Sequence, residues 1–158
     1  IFQYDGAQPR GRGSLPDRGH RRRRDQPRLF ETKTMPRFQM ERVVFDTMEF
    51  YENGAIAIAM LWRADIDYAG ADMDDLDSIA SLTRQIEGVQ IGITLTENKD
   101  KTVKVSVRTT KEMDAAAICQ KCGGGGHIRA AGASFDCGME EAKAAILNAA
   151  QEQYHAKQ

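Results

Sequence analysis

The stretch Gly123-Gly124-Gly125-Gly126-His127 holds the residues best suited to chemistry in this chain. Four consecutive glycines lose a large backbone entropy on folding, so a mere spacer is an unusual thing to find between a helix and a strand-like segment. Without Cβ atoms, successive backbone N–H groups can turn toward one point and form a nest that suits phosphate oxygens. His127 adds hydrogen-bond donors at the same place, and Arg108 or Arg129 could neutralise the anion. No Gly-Lys-Ser/Thr follows, so this is not a nucleoside-triphosphate loop. Nor does it lead from a strand into a helix, as a dinucleotide fingerprint must. The competing reading is a flexible surface turn with an exposed histidine.

A second constellation overlaps the first. Cys119, Cys122, His127 and Cys137 make a Cys₃His set whose first three members have zinc-knuckle spacing. The last interval is too long for a knuckle, and the first two cysteines fall in a predicted helix, where buried free thiols are the commoner outcome. Asp65, Asp67, Asp72, Asp74, Asp75 and Asp77 lack the spacing of a calcium loop and read as a solvated loop and helix start. His20 and His155 read as surface residues, and Trp62, at the end of an apolar run, as core.

The elements that must position these residues follow from periodicity. Thr34 and Pro36 predict a helix start, with apolar positions Met40, Val43, Val44, Phe45, Met48 and Tyr51 carrying the helix to about Glu52, where Asn53-Gly54 stops it. Ala55–Trp62 is a continuous apolar run of strand length. An Asp-rich loop is expected next, then a helix over about 73–87 with Met73, Leu76, Ile79, Ala80, Thr83 and Ile86 inward. Val89, Ile91, Ile93 and Leu95, then Val103, Val105 and Val107, alternate with polar residues around the turn 98–101. That pattern predicts an antiparallel hairpin with Arg108 on its open face. A short helix over 114–122 and a final helix from Gly138 to about His155 complete the chain. The fold class is α/β or α+β.

The 158 residues are 41% apolar and 28% charged, which supports a core and excludes wholesale disorder. No apolar run is long enough to span a bilayer, and three cysteines make a poor disulfide scaffold, so a cytoplasmic protein is expected. Ile1 in place of Met, followed by polar Arg-rich sequence, leads to the expectation of a piece of a longer protein without a signal peptide. The net charge of −1 conceals an asymmetry: residues 1–28 carry eight Arg, no Lys and three Asp, while the remainder carries fourteen basic and twenty acidic residues. Such a head could be a nucleic-acid-binding arm or a solvated tail. Arginine without lysine is also what a G+C-rich gene encodes when read out of frame, here across roughly 7–28. An uninterrupted coding frame with the codon usage of the rest would refute that origin.

The string Gly-Gly-Gly-Gly-His-Ile-Arg-Ala-Ala-Gly (123–132) resembles the Gly-Gly-Gly-His-x-x-Ala-Ala-Gly signature of the DHHA1 domain, the substrate-binding domain of the DHH phosphoesterase superfamily. Val105-Ser106-Val107-Arg108-Thr109 is similar to that family's strand ending in Arg-Ser, and Ile86-Glu87-Gly88-Val89 to its helix-to-strand junction. Leu29-Phe30-Glu31-Thr32-Lys33 resembles its interdomain linker. The resemblance covers about residues 29–155 and includes the bifunctional oligoribonuclease and PAP phosphatase branch. It implies a mixed β-sheet with flanking helices over 55–158 and a linker helix over 29–54. Residues 1–28 depart from the family, which has an amphipathic helical region between Tyr4 and Leu29, and read as a poorly structured remnant after the missing DHH domain.

The resemblance further implies that Arg108, Thr109, Gly123, Gly124, Gly125, Gly126 and His127 contact substrate phosphate, Thr109 keeping the hydroxyl of the usual Ser. Arg129 joins them on charge alone. Two Mn²⁺ ions are expected in a preceding DHH domain, whose Asp-His-His motif this chain lacks, so no catalytic group and no metal ligand is expected here. The implied partners are that domain, a short single-stranded RNA or nucleotide phosphate, and, in a homodimer, a second copy of the chain, with no membrane. Hydrolysis of short oligoribonucleotides, 3′-phosphoadenosine 5′-phosphate (PAP) or linear dinucleotides would belong to the intact protein. The alternative is a non-enzymatic nucleic-acid-binding protein using a zinc knuckle or the basic arm.

Overall fold

Residues 32–158 are described by the computed structural model. The basic head and every expectation placed on it lie outside the described residues. Thr34 begins the first helix, α1 (Met35–Asp46), its Oγ1 accepting the Arg37 N–H at 3.2 Å, with Pro36 in the first turn where a missing N–H costs nothing. The helix expected to reach Glu52 ends at Asp46, and Glu49–Tyr51 forms strand β1. Met48 and Tyr51, three apart as on a helix face, pack into two different apolar clusters. A three-residue strand is too short for alternation to reveal it. Phe45 is half exposed.

A tight turn over Glu52–Gly54 sends the chain back as β2 (Ile56–Leu61), antiparallel to β1 and buried along its whole length. β2 runs parallel to β3 (Ile91–Glu97), and a parallel pair requires a crossover. The crossover holds α2 (Arg63–Ala69), α3 (Met73–Ile79) and a single 3₁₀ turn at Leu82–Gln85. This corrects two expectations. A helix forms where a loop is expected, because Arg63 pairs with Asp67 one turn on and Ile66 is buried. The single helix over 73–87 is broken, because α3 has only one buried turn, Leu76 and Ile79. Met73 is exposed, and Trp62 is 37% exposed at the start of α2 instead of core. The acidic run is structural: Asp72 and Asp75 close a reciprocal capping box on α3.

The predicted hairpin is present, with β4 (Val103–Thr109) antiparallel to β3. After α4 (Ala115–Gln120), strands β5 (Gly125–His127) and β6 (Ala130–Phe135) complete a six-stranded mixed sheet in the order β1-β2-β3-β4-β6-β5. Helix α5 (Met139–Ala156) ends the chain. Alternation across the strands separates two cores. Ala59 and Leu61 pack with Met40, Val44, Ile66, Leu76 and Ile79 on the α1–α3 side. Ile56, Ile58, Ile93, Val105 and Val107 pack with Ile118 of α4 and Ile146 of α5 on the other.

Helices bury β2 on both faces, α1–α3 on one and α4 with α5 on the other, but the α1–α3 layer stops short of β4, whose residues alternate between buried and half-buried. Lys104, Ser106 and Arg108 therefore stand on an uncovered part of the sheet. Replacing Ile93, fully buried between β2 and β4, by Ala is expected to cost about 2–5 kcal/mol in urea unfolding. Met73→Ala is expected to shift stability by about 0.5 kcal/mol or less, as for an exposed side chain.

Candidate functional site

Strand register arranges the uncovered face as a grid. Directly opposed residues of antiparallel neighbours point to the same side of the sheet. Arg108 opposes Ala130, which opposes His127; Ser106 opposes Gly132, which opposes Gly125; Lys104 opposes Ser134. Three cross-sheet rows thus hold the polar side chains of β4 at one side and small residues beside them, and two of the rows end on the edge strand β5. Two adjoining concavities, of about 410 and 380 Å³, follow this grid and share Lys104, Ser106 and Gly132. Together they form one shallow trough running from Arg108 and Ala130 toward Gly123 and Ser134.

His127 is exposed at the end of β5, in the row of Arg108, with one strand between them. Neighbouring strands lie about 4.8 Å apart, so one small anion can touch both side chains. Arg108 donates from Nη1 to the carbonyl of Val107 at 3.0 Å and, among the described residues, pairs with no carboxylate. Lys104 differs: its Nζ lies 3.0 Å from Oδ1 of Asp77 on α3. Ser106 and Lys104 were not singled out as binding residues from sequence. The signal was there, since both share the polar phase of the strand on which Arg108 lies.

Three expectations for this region are corrected. The four glycines do not form a nest. The N–H groups of Gly123 and Gly124 donate to the carbonyls of Gln120 and Cys119, closing the end of α4, while Gly125 and Gly126 enter strand β5. Thr109 is buried, its Oγ1 donating to the Ile128 carbonyl at 2.9 Å, so its hydroxyl belongs to the scaffold. The Arg129 guanidinium donates to the carbonyls of Thr110 and Met113, the latter at 2.9 Å, and clamps the loop after β4. Both residues follow the opposite phase of the alternation from Arg108 or lie beyond the strand, which motif spacing alone does not disclose.

The glycines have a steric role instead. A Cβ on Gly124 would lie 2.2 Å from the Gly132 carbonyl oxygen, and one on Gly126, where φ is +147°, would lie 2.6 Å from Cα of Ala131. β5 is therefore pressed flat onto β6. Gly125 has open space where its Cβ would be, and that space is the trough.

The cysteine set does not assemble. Among the described residues no three His, Cys, Asp or Glu side chains converge as a metal site. Cys119 is buried, and burial pushes its thiol up to about 11, which opposes the thiolate that zinc needs. No step through Mn²⁺ can be assigned to these residues. His155 sits at the surface, its Nε2 3.4 Å from Glu52. Among the described residues no helix is long and apolar enough to cross a membrane.

The sequence matches the family model of the DHHA1 domain over residues 53–156. The chain belongs to the DHHA1 family. It is 32% identical over 117 residues to the bifunctional oligoribonuclease and PAP phosphatase NrnA of Thermus thermophilus, covering 73% of this chain and 34% of that protein. Its fold is similar to that of an exopolyphosphatase-related protein from Bacteroides fragilis, with a TM-score of 0.75 at 21% identity, covering 82% of this chain and 38% of the other. The chain thus spans about a third of the length of these relatives. In this DHHA1 sheet the trough lies on the strands that carry the glycine–histidine signature. Gly124→Ala is expected to destabilise the domain by about 1–3 kcal/mol, since the added methyl meets backbone. Gly125→Ala, facing open space, is expected to cost about 0.5 kcal/mol or less in the same unfolding assay.

Proposed function

We propose that this chain is the substrate-holding part of a DHH-type phosphoesterase, and that its trough binds the terminal phosphate of a short oligoribonucleotide or nucleoside bisphosphate. One observation carries the reading: Arg108 and His127 stand in one row on an open sheet face, separated only by Ala130, with Gly125 and Gly132 leaving the adjacent surface bare. A guanidinium supplies several fixed donors to phosphate oxygens, and an imidazole adds a second direction of approach. A flat strand surface without side chains lets the sugar–phosphate backbone come close. The activity of the T. thermophilus relative on oligoribonucleotides and PAP, as its name states it, supports this substrate class.

In this reading the chain binds and orients, while hydrolysis takes place on a DHH domain that holds two Mn²⁺ ions and closes over the trough. Positioning of this kind is where a non-hydrolytic domain contributes to rate, because a scissile bond must be held close to the activated water. Short oligoribonucleotides, PAP and linear dinucleotides all present a terminal phosphate that fits the row. We place the protein in the cytoplasm, in keeping with its three free thiols.

Calorimetric titration of the chain with a 5′-phosphorylated dinucleotide tests the site. Saturable binding is expected, weakened by about 1.5–3 kcal/mol in Arg108→Ala and in His127→Ala, the value of a hydrogen bond to a charged group. Unchanged affinity in both variants would remove the row from the site. Absence of binding by the unaltered chain would contradict a self-sufficient phosphate site.

A further inference from the structure

We propose that the trough measures oligonucleotide length: Arg108, Ser106 and Lys104 meet three successive phosphates of one single strand, and Asp77 occupies Lys104 until a third phosphate displaces it. The inference rests on the phosphate reading of the same trough and goes beyond it to a chain length and a polarity of binding.

The three residues occupy positions i, i+2 and i+4 on β4, all facing the uncovered side. Every second residue of a strand advances by about 6.8 Å, a step close to that between successive phosphates of an extended single strand. The neighbours opposite them on β6 are Ala130, Gly132 and Ser134, so on that side no large side chain rises beside the column. The two concavities join along this column, sharing Lys104, Ser106 and Gly132, which makes the path continuous. A positively lined groove that follows a flexible backbone is the usual form of single-strand binding.

The charges along the column differ. Arg108, which among the described residues pairs with no carboxylate, is the cation at one end, Ser106 a neutral hydroxyl in the middle, and Lys104 a cation held 3.0 Å from Asp77 at the other. The first phosphate therefore goes to Arg108. Both members of the Lys104–Asp77 pair are solvent-accessible, with side chains 38% and 65% exposed. Exposed pairs of this kind are weak and exchange readily. A phosphate arriving at the far end replaces the Asp77 carboxylate as partner of Nζ. Ligands with one or two phosphates leave the pair intact, so Lys104 contributes only to the longer ligand.

Adenosine 5′-phosphate and the 5′-phosphorylated di- and triadenylates, titrated calorimetrically into the full chain, carry one, two and three phosphates. Affinity is expected to rise with length. In Lys104→Ala the loss is confined to the trinucleotide, fivefold or more, and its salt dependence falls by about one phosphate contact. Asp77→Asn, which leaves Lys104 unpaired, raises trinucleotide affinity several-fold.

A loss in Lys104→Ala that is equal for all three ligands, or absent for the trinucleotide, overturns the ruler. Arg108→Ala separates the two levels of the account. Binding of the mononucleotide that depends on Arg108, without a length-dependent effect of Lys104, overturns the ruler alone. Failure of all three ligands to bind the unaltered chain overturns both it and the phosphate site beneath it.

Discussion

The register of β4 against β6, and of β6 against β5, is the constraint on which the site depends. Side chains alternate across a strand, so a slip of one residue would carry Arg108 into the α4–α5 core and expose Val107 in its place. The register is held from both faces. Val105, Val107, Ala131 and Ala133 are buried on one side, and Gly124 fits against the Gly132 carbonyl at the edge. At the end of β4, the Thr109 N–H and hydroxyl donate to the carbonyls of Arg129 and Ile128, and the Ala115 N–H donates to Ile128 at 2.8 Å. Arg129 ties the following loop to the same turn. Much of the signature decapeptide thus fixes geometry, while Gly125, Ala130 and Gly132 line the trough and His127 stands exposed in the row of Arg108.

This division explains why the trough is shallow and mostly backbone. Both faces of β2 are covered by helices, whereas the α1–α3 layer ends before β4. An anion held on an open strand surface remains largely hydrated, where each charge pair contributes modestly and salt screens it. Contacts in several rows must add up before affinity becomes useful. A second domain closing over the face would exclude water and strengthen every one of them.

The hairpin, the buried strand β2 and the long helix α5 were legible in the sequence because each carries a sustained period or apolar run. β1 and α2 were not, because three and seven residues are too few for periodicity, and their stability comes from the β2 ladder and the Arg63–Asp67 pair. The glycine–histidine string was recognisable, and Arg108, Gly125 and His127 fall on one open face of the sheet. Thr109 and Arg129 were assigned to phosphate by type and proximity along the chain. Their hydroxyl and guanidinium are taken by carbonyls that come together only when β6 folds beside β4. The nest expected from four glycines failed for a local reason, as the last turn of α4 claims the N–H groups of Gly123 and Gly124.

The most direct test is an amide NMR titration of the chain with adenosine 5′-phosphate in metal-free buffer. The account predicts saturable shifts centred on Arg108, Ala130 and His127, extending to Gly125 and Gly132, with little change in the loop over 110–114 or along α5. Shifts centred on Thr110–Met113, or on α1 and α2 away from the open sheet face, would contradict it.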